Sequence, residues 1–366
     1  MLAGSQPAEN RSLEDKQTMK LLRFQLFWLL VVTATFVHAQ ETGSITGTVR
    51  DNTGAVVPGA DVNITSEAQG VIQKVTTNSN GDFLVAGLPS GTYDLTIAAS
   101  GFKKYAASGV VLRVGQKARV DAILQVGEIS TEVTVAGEAV AQVETQSAEI
   151  SGIITGKEIS QIILNGRNFS QLVTLTPGVS NQTGLDEGTV GIAGNVGMSM
   201  NGGRTEYNNW EMDGGDNMDN GSNNGLNVYP NVDAIAEVKV LTSNYGAQYG
   251  RNSSGTVEAV TKTGTKDFHG DLFEFVRNDD FNARGFFQST VPEYKKNDFG
   301  FTVGGPLYIP GFYNTKKEKT FFFWSEDWRR EIIPGQTFNL QVPSAAERAG
   351  NFSDVCPAAG SVSIRS

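Results

Sequence analysis

The stretch Ala234 to Lys262 joins two β-like runs, AIAEVKVL and GTVEAVTK, through a turn rich in glycine, asparagine and tyrosine. After Gly270 the texture changes to aromatic, alternating strands separated by charged loops. A chain with both textures has to build a globular β-rich region and then hand over to strands with the character of a membrane wall. Composition agrees: 42 glycines among 366 residues, with abundant Asn, Thr and Ser, favour turns and strands over helices. A formal net charge of -10 argues against a nucleic-acid partner, because phosphate binding needs a basic face. Outside the N-terminus no run approaches an apolar membrane-spanning helix, which leaves β-barrel strands open because their alternation gives a weak hydropathy signal.

The N-terminus reads as an export address. Lys20 and Arg23 precede an apolar run from Phe24 to Phe36, and Val37-His38-Ala39 ahead of Gln40 has the small-x-small form of a cleavage site. The expected cut follows Ala39, with the polar residues before Met19 an upstream extension; a retained tail and a single membrane anchor are the alternatives. Residues 1–39 are therefore set apart from the folded chain. Cys356 is the single cysteine, so no disulfide is expected within the sequence in view.

From Gly43 short strands follow at close spacing: Ser44–Val49, Ala60–Ser66, Val71–Thr77, Phe83–Leu88, Gly91–Ala98, Gly109–Val114 and Ala118–Leu124. Asp51-Asn52-Thr53-Gly54, Pro58-Gly59, Asn80-Gly81-Asp82 and Pro89-Ser90-Gly91 punctuate them as turns. This pattern fits a two-sheet antiparallel sandwich with Ile45, Val49, Val62, Ile64, Phe83, Tyr93, Leu95 and Ile97 in its core. No clustered histidine, serine–base pair or metal-ligand set occurs in it, which favours a structural or binding role. The runs GSITGTVRDNTGAVVPGADVNIT and TTNSNGDFLVAGLPSGTYDLTIAASGFK closely resemble the carboxypeptidase regulatory-like domain over about Ser44 to Val126. That resemblance implies a prealbumin-like sandwich acting as an accessory module, with no peptidase activity.

Residues 127–263 change character. Glu128 to Gly137 is extended and polar at alternate positions, and fits either a mobile connector able to add to a partner's sheet edge through Val133 and Val135 or a fixed edge strand of the next domain. Short helices are expected over Lys157–Leu164, before the Asn165-Gly166 turn, and over Phe169–Leu175, before Pro177. Val196–Arg204 followed by Tyr207–Asp216 reads as two strands around a tight glycine turn, with Gly202-Gly203, ahead of Arg204, permitting positive φ. Asp213, Asp216 and Asp219 have a spacing at which carboxylates can converge on a calcium ion, although it matches no complete EF-hand loop. The following Asn/Gly-rich run to Asn227 is an exposed loop and does not form a phosphate cradle, so no nucleotide and no other cofactor is expected.

From residue 264 onward Phe268–Arg277, Asp298–Gly304 and Thr320–Arg329 are candidate wall strands. Phe273, Phe275, Phe299 and Phe301 fall on period-two positions, and Phe321, Phe323, Trp324 and Trp328 suit a lipid face or its interfacial girdle. The alternative on pattern alone is an ordinary soluble sheet.

Taken in order, LNGRNFSQLVTLTPGV, GRTEYNNWEMDGGDN, the Ala234–Lys262 stretch with its continuation to Phe275, and NDFGFTVGGPLY resemble TonB-dependent outer-membrane receptors, especially the large Oar-like ones with an N-terminal regulatory-like sandwich. The resemblance implies a mainly β protein: a prealbumin-like β-sandwich over 43–126, a connector and α/β plug domain over 127–263, and the first strands of an incomplete transmembrane β-barrel over 264–366. It also implies that Glu132, Val133, Thr134 and Val135 form the energy-coupling segment for a TonB-type periplasmic transducer. Tyr245, Gly246 and Arg251 then belong to a turn at the plug's end, as Gly202, Gly203 and Arg204 belong to an earlier one. The implied setting is the Gram-negative outer membrane, with lipid around the wall, a periplasmic sandwich and an extracellular substrate that the sequence does not name. Barrels of this kind have about 22 strands. The three or four expected here would leave open edges costing several kcal/mol per unpaired group in hydrocarbon, so the expectation is the N-terminal portion of a longer protein. No covalent chemistry is called for, and His269 is isolated once His38 leaves with the signal. Two other classes fit less of the sequence: a secreted adhesion or glycan-binding β-protein, and an outer-membrane structural protein that imports nothing.

Overall fold

The computed structural model describes residues 41–128, 132–136, 146–182 apart from 163, 165 and 166, 196–286 apart from 222 and 224, 290–332 apart from 292, and 342–352. The expected signal peptide, the Asn165-Gly166 turn and Cys356 lie outside them.

Nine strands form the first module: β1 (Gly43–Asp51), β2 (Asp61–Ser66), β3 (Ile72–Thr76), β4 (Asp82–Leu88), β5 (Gly91–Ala98), β6 (Lys104–Leu112), β7 (Lys117–Arg119), β8 (Ala122–Leu124) and β9 (Glu132–Ala136). One sheet centres on β1, with β4 antiparallel on one side and β7 and β8 parallel on the other. The second runs β3-β2-β5-β6-β9. Period-two alternation sends Ile45, Val49, Val62, Ile64, Phe83, Tyr93, Leu95 and Ile97 into the core between the sheets, where all eight expected core residues are buried. The stretch expected as one strand over Ala118–Leu124 is two. Beyond the bond from Val120 N–H to the Thr46 carbonyl, the Asp121 carboxylate accepts the Thr48 N–H at 2.8 Å, so a side chain replaces a ladder partner between β7 and β8. Gly47 allows this close approach: a Cβ there would lie 1.9 Å from the Val120 carbonyl oxygen.

The second module contains β10 (Ile150–Thr155), α1 (Gly156–Gln161), β11 (Val179–Asn181), β12 (Met198–Met200), β13 (Asn209–Met212), β14 (Gly215–Asp216), β15 (Ile235–Ser243) and β16 (Thr256–Thr261). Its main sheet runs β10-β15-β16-β13-β14, with β13 parallel to β16 and the other pairs antiparallel. Thr155 starts α1 through a reciprocal capping box with Glu158, satisfying two backbone donors at the helix entry. Phe169–Leu175, expected as a helix, is a 3-10 helix of seven residues capped by Asn168. Trp210 is fully buried with Val238, Val240, Val257 and Ala259 in this module's core and meets Phe169 edge-on at 6.1 Å.

The expected pairing of two strands, from Val196–Arg204 and Tyr207–Asp216, around a glycine turn is not formed. β12 pairs with β11, whereas β13 pairs with β14 and β16, and a 3-10 turn over Thr205–Tyr207 separates them. Burial of Met198, Met200 and Trp210 in one core overrides the local turn signal, because each strand contributes its own apolar face.

A three-stranded sheet follows, β17 (His269–Asn278), β18 (Lys295–Pro306) and β19 (Phe321–Ile332), in that order. Along β18, Lys296, Asp298, Gly300, Thr302 and Gly304 are buried and alternate with half-exposed Asn297, Phe299, Phe301 and Val303. Polar or small residues thus hold one face and mainly apolar ones the other. The expectation for β19 needs correction: its pleat sends Phe321 and Phe323 to the face opposite Trp324 and Trp328, so these four aromatics do not share one lipid face. Phe323 sits beside Gly304, where an added Cβ would meet its ring at 3.1 Å, whereas Trp328 stacks on Phe299 at 5.7 Å. A short helix, α2 (Ala345–Arg348), completes the described elements. No described helix is long and apolar enough to cross a membrane, which leaves strands untouched.

Candidate functional site

The expected coupling segment is strand β9. Its backbone pairs in parallel with β6, from Lys104 opposite Glu132 to Ser108 opposite Ala136. It is neither a loose connector nor an edge of the following module: it is the outermost strand of the sandwich's five-stranded sheet. Thr134 is exposed and Val133 half-buried. Backbone groups on its outer side have no strand partner among the described residues, the geometry that accepts another chain by strand addition.

The turn after β15 is built from its own side chains. Tyr245 and Tyr249 meet edge to face at 6.2 Å, the Tyr245 hydroxyl bonds Asn252, and Arg251 takes a positive φ of 61°. Arg251 bonds both Asp216 and Asn220. Burial alone raises the Asp216 carboxyl, but Arg251 and the Met218 amide hold it below the usual range. In the earlier turn, Asn201 and Gly202 carry the positive φ values of 51° and 76°. Gly203 matters for space instead: a Cβ there would fall 2.0 Å from Ser254 Oγ. Arg204 lies over the Tyr207 ring at 5.8 Å.

The three aspartates proposed for calcium are engaged with three separate sets of partners. Asp213 accepts the Thr261 N–H and hydroxyl at 2.8 and 2.9 Å and so closes the end of β16. Asp216 is paired with Arg251, and Asp219 accepts the Gly221 N–H at 3.0 Å. They do not converge; among the described residues the acidic groups that do are Glu41, Glu211 and Glu258.

Glu211 and Glu258 belong to a charged row that runs across the main sheet. Glu211 on β13 stands opposite Glu258 on β16, and Glu258 opposite Lys239 on β15. Lys239 Nζ reaches Glu149 at 3.1 Å. Glu41, just before β1, accepts from the Tyr249 hydroxyl at 2.6 Å. Burial drives the Glu258 carboxyl up to about 10, reinforced by Glu41, with Lys239 opposing, and burial also raises Glu211. One residue pair along β15, Glu237 is buried and raised by desolvation, although Arg113 at 3.0 Å and the Val114 N–H at 2.8 Å from the sandwich counter it. None of these acids was singled out in the sequence. The available signal was charge at alternate positions of Val-rich strands, Glu237 and Lys239 in AIAEVKVL and Glu258 in GTVEAVTK.

Residues 44–125 match the family model of the carboxypeptidase regulatory-like domain, and residues 260–364 match that of an outer membrane beta barrel domain. Over 302 residues the chain is 27% identical to the TonB-dependent transporter Oar of Myxococcus xanthus, covering 77% of this chain and 26% of Oar. The chain is similar to Oar over that span. It spans about a quarter of the length of that relative. Among solved structures it is similar to the siderophore receptor PirA of Acinetobacter baumannii, at 20% identity over 43% of this chain and 22% of that one, with a TM-score of 0.32. The outer membrane transporter YddB of Escherichia coli matches at 18% identity over 43% of this chain and 24% of that one, with a TM-score of 0.34. The Oar match and the barrel and regulatory-like matches relate the chain to TonB-dependent receptors.

Proposed function

We propose that this Oar-like chain is the N-terminal part of a receptor that moves an external substrate across the Gram-negative outer membrane, driven by a TonB-type periplasmic transducer. In this reading residues 1–39 direct export, the sandwich hangs in the periplasm, residues 127–263 include the plug, and the chain from residue 264 begins the barrel wall. Glu132 to Val135 is the coupling segment. The observation that carries this assignment is the place of β9 at the rim of a sheet, where among the described residues main-chain pairing holds it along one side only. A transducer strand adding to the free side gains main-chain bonds with little demand on side-chain identity. Pulling on β9 then acts on the chain that leads into the plug.

The experiment uses the complete receptor. Deleting Glu132 to Val135 is expected to abolish energised uptake of its substrate while leaving insertion in the outer membrane intact. Unchanged uptake would reject the coupling role, and failure to reach the outer membrane would reject the receptor reading as a whole.

A further inference from the structure

We propose that Glu41, Glu211 and Glu258 form a binding site for a hard divalent cation, with calcium the best fit. One carboxylate oxygen from each residue lies within 4.8 Å of the others. Calcium–oxygen bonds of about 2.3–2.6 Å allow one ion to touch oxygens up to roughly 5 Å apart, whereas magnesium bonds of about 2.0–2.1 Å span less. All three donors are carboxylates, as a hard cation prefers.

An acidic cluster alone does not make a site; the state of Glu258 does. Its side chain is fully buried, and neither carboxylate oxygen receives a bond from an N–H or hydroxyl donor among the described residues; its polar neighbour is the Glu41 carboxyl, which it can meet only through a shared proton or a shared cation. Buried carboxylate oxygens left without a donor are costly, and a bound ion is one way to satisfy them. The surrounding charge is unbalanced too. Glu41, Glu149, Glu211 and Glu258 face one ammonium, that of Lys239, and its Nζ is bonded to Glu149. Arg251 acts on Glu211 from farther off and is itself paired with Asp216.

The enclosure is tight on the sandwich side. A Cβ at Gly115 would come within 2.5 Å of Glu41 Oε1 and 3.2 Å of Lys239 Nζ, so the Gly115 turn packs directly over the cluster. Tyr249 fixes Glu41 through its hydroxyl. A cation held here clamps the residues leading into β1 onto the sheet formed by β13, β15 and β16. This site is separate from the proposed transport coupling and stands or falls without it.

The test is titration of the chelator-treated chain with calcium alone, followed by calorimetry and thermal unfolding, and with terbium, followed by tyrosine-sensitised emission from the neighbouring Tyr249. The expected result is one saturable site that raises the unfolding temperature and gives terbium emission. Glu258→Gln is expected to weaken calcium binding at least about tenfold, since affinity follows ligand charge. Glu41→Gln, which lies outside the sheet and leaves its packing alone, is expected to weaken it similarly. Asp219→Asn is expected to bind as the parent does. No saturable uptake at millimolar calcium would overturn the proposal and leave a shared proton as the balancing charge. Parent-like binding by both glutamine variants, or loss of binding in Asp219→Asn, would overturn it as well.

Discussion

Replacing Glu258 with glutamine in the metal-free chain is expected to stabilise the main sheet in a pH-dependent way. In the unfolded chain this carboxyl titrates near its ordinary value of 4.5, whereas in the folded chain burial holds its proton up to about 10. Between those limits the native state retains a proton that the unfolded state has released, so stability falls as pH rises through this window and levels off above about 10. Each pH unit is worth about 1.4 kcal/mol, and the 2.5 units between 4.5 and pH 7 place the penalty there at no more than ~3.5 kcal/mol. Local relaxation reduces it, leaving ~1–3 kcal/mol. Glutamine is nearly isosteric and neutral, so the variant lacks this slope. Amide hydrogen exchange of β15 and β16 in chelator, corrected for intrinsic rates at about pH 5, 7 and 9, reads the local opening free energy. Parent and variant should agree near pH 5 and diverge toward pH 9 with the variant more protected. Parallel profiles would refute the reasoning by showing that Glu258 is ionised in the folded protein.

Three further expectations concern packing and coupling. Trp210→Ala should cost about 3–5 kcal/mol of stability in the second module, because it removes a fully buried ring that meets Phe169 edge-on, and exchange of β13 and β16 amides would report it. Gly47→Ala should destabilise the sandwich selectively, since the added methyl overlaps the Val120 carbonyl; loss of protection in β1, β7 and β8 with β15 unchanged is the outcome to look for. Arg113→Ala should cost about 1 kcal/mol, because the half-exposed guanidinium is screened and Glu237 keeps its bond from the Val114 amide; urea denaturation of the two chains would measure it.

The sandwich was legible because its strands alternate cleanly and its turns carry Asp, Asn, Pro and Gly where the chain reverses. Ile45, Val62, Leu95 and Ile97 could be placed in the core from period alone. The break between β7 and β8 was not legible, because it depends on Asp121 meeting Thr48, seventy-three residues away. The partner of β9 was hidden for a similar reason: its residues specify an extended strand, and tertiary proximity to β6 decides which edge receives it. The expected Val196–Asp216 pair of strands failed where a shared core outweighed a glycine turn. Phe321 and Trp324 read alike as wall aromatics, yet an odd spacing puts them on opposite faces. The acidic cluster was least visible of all, since Glu41, Glu211 and Glu258 come from three distant segments, and only the register across β13, β16 and β15 brings two of them side by side.

The proposed receptor role rests most directly on contact between β9 and an energy transducer. Placing a photo-cross-linking residue at the exposed Thr134 of the complete receptor, in living cells, measures that contact. The account expects capture of a TonB-type periplasmic protein at Thr134 and none from the same probe at Asn80, which lies in an exposed turn elsewhere on the sandwich. Equal capture from both positions, or none at Thr134 in energised cells with the receptor in the outer membrane, would contradict it.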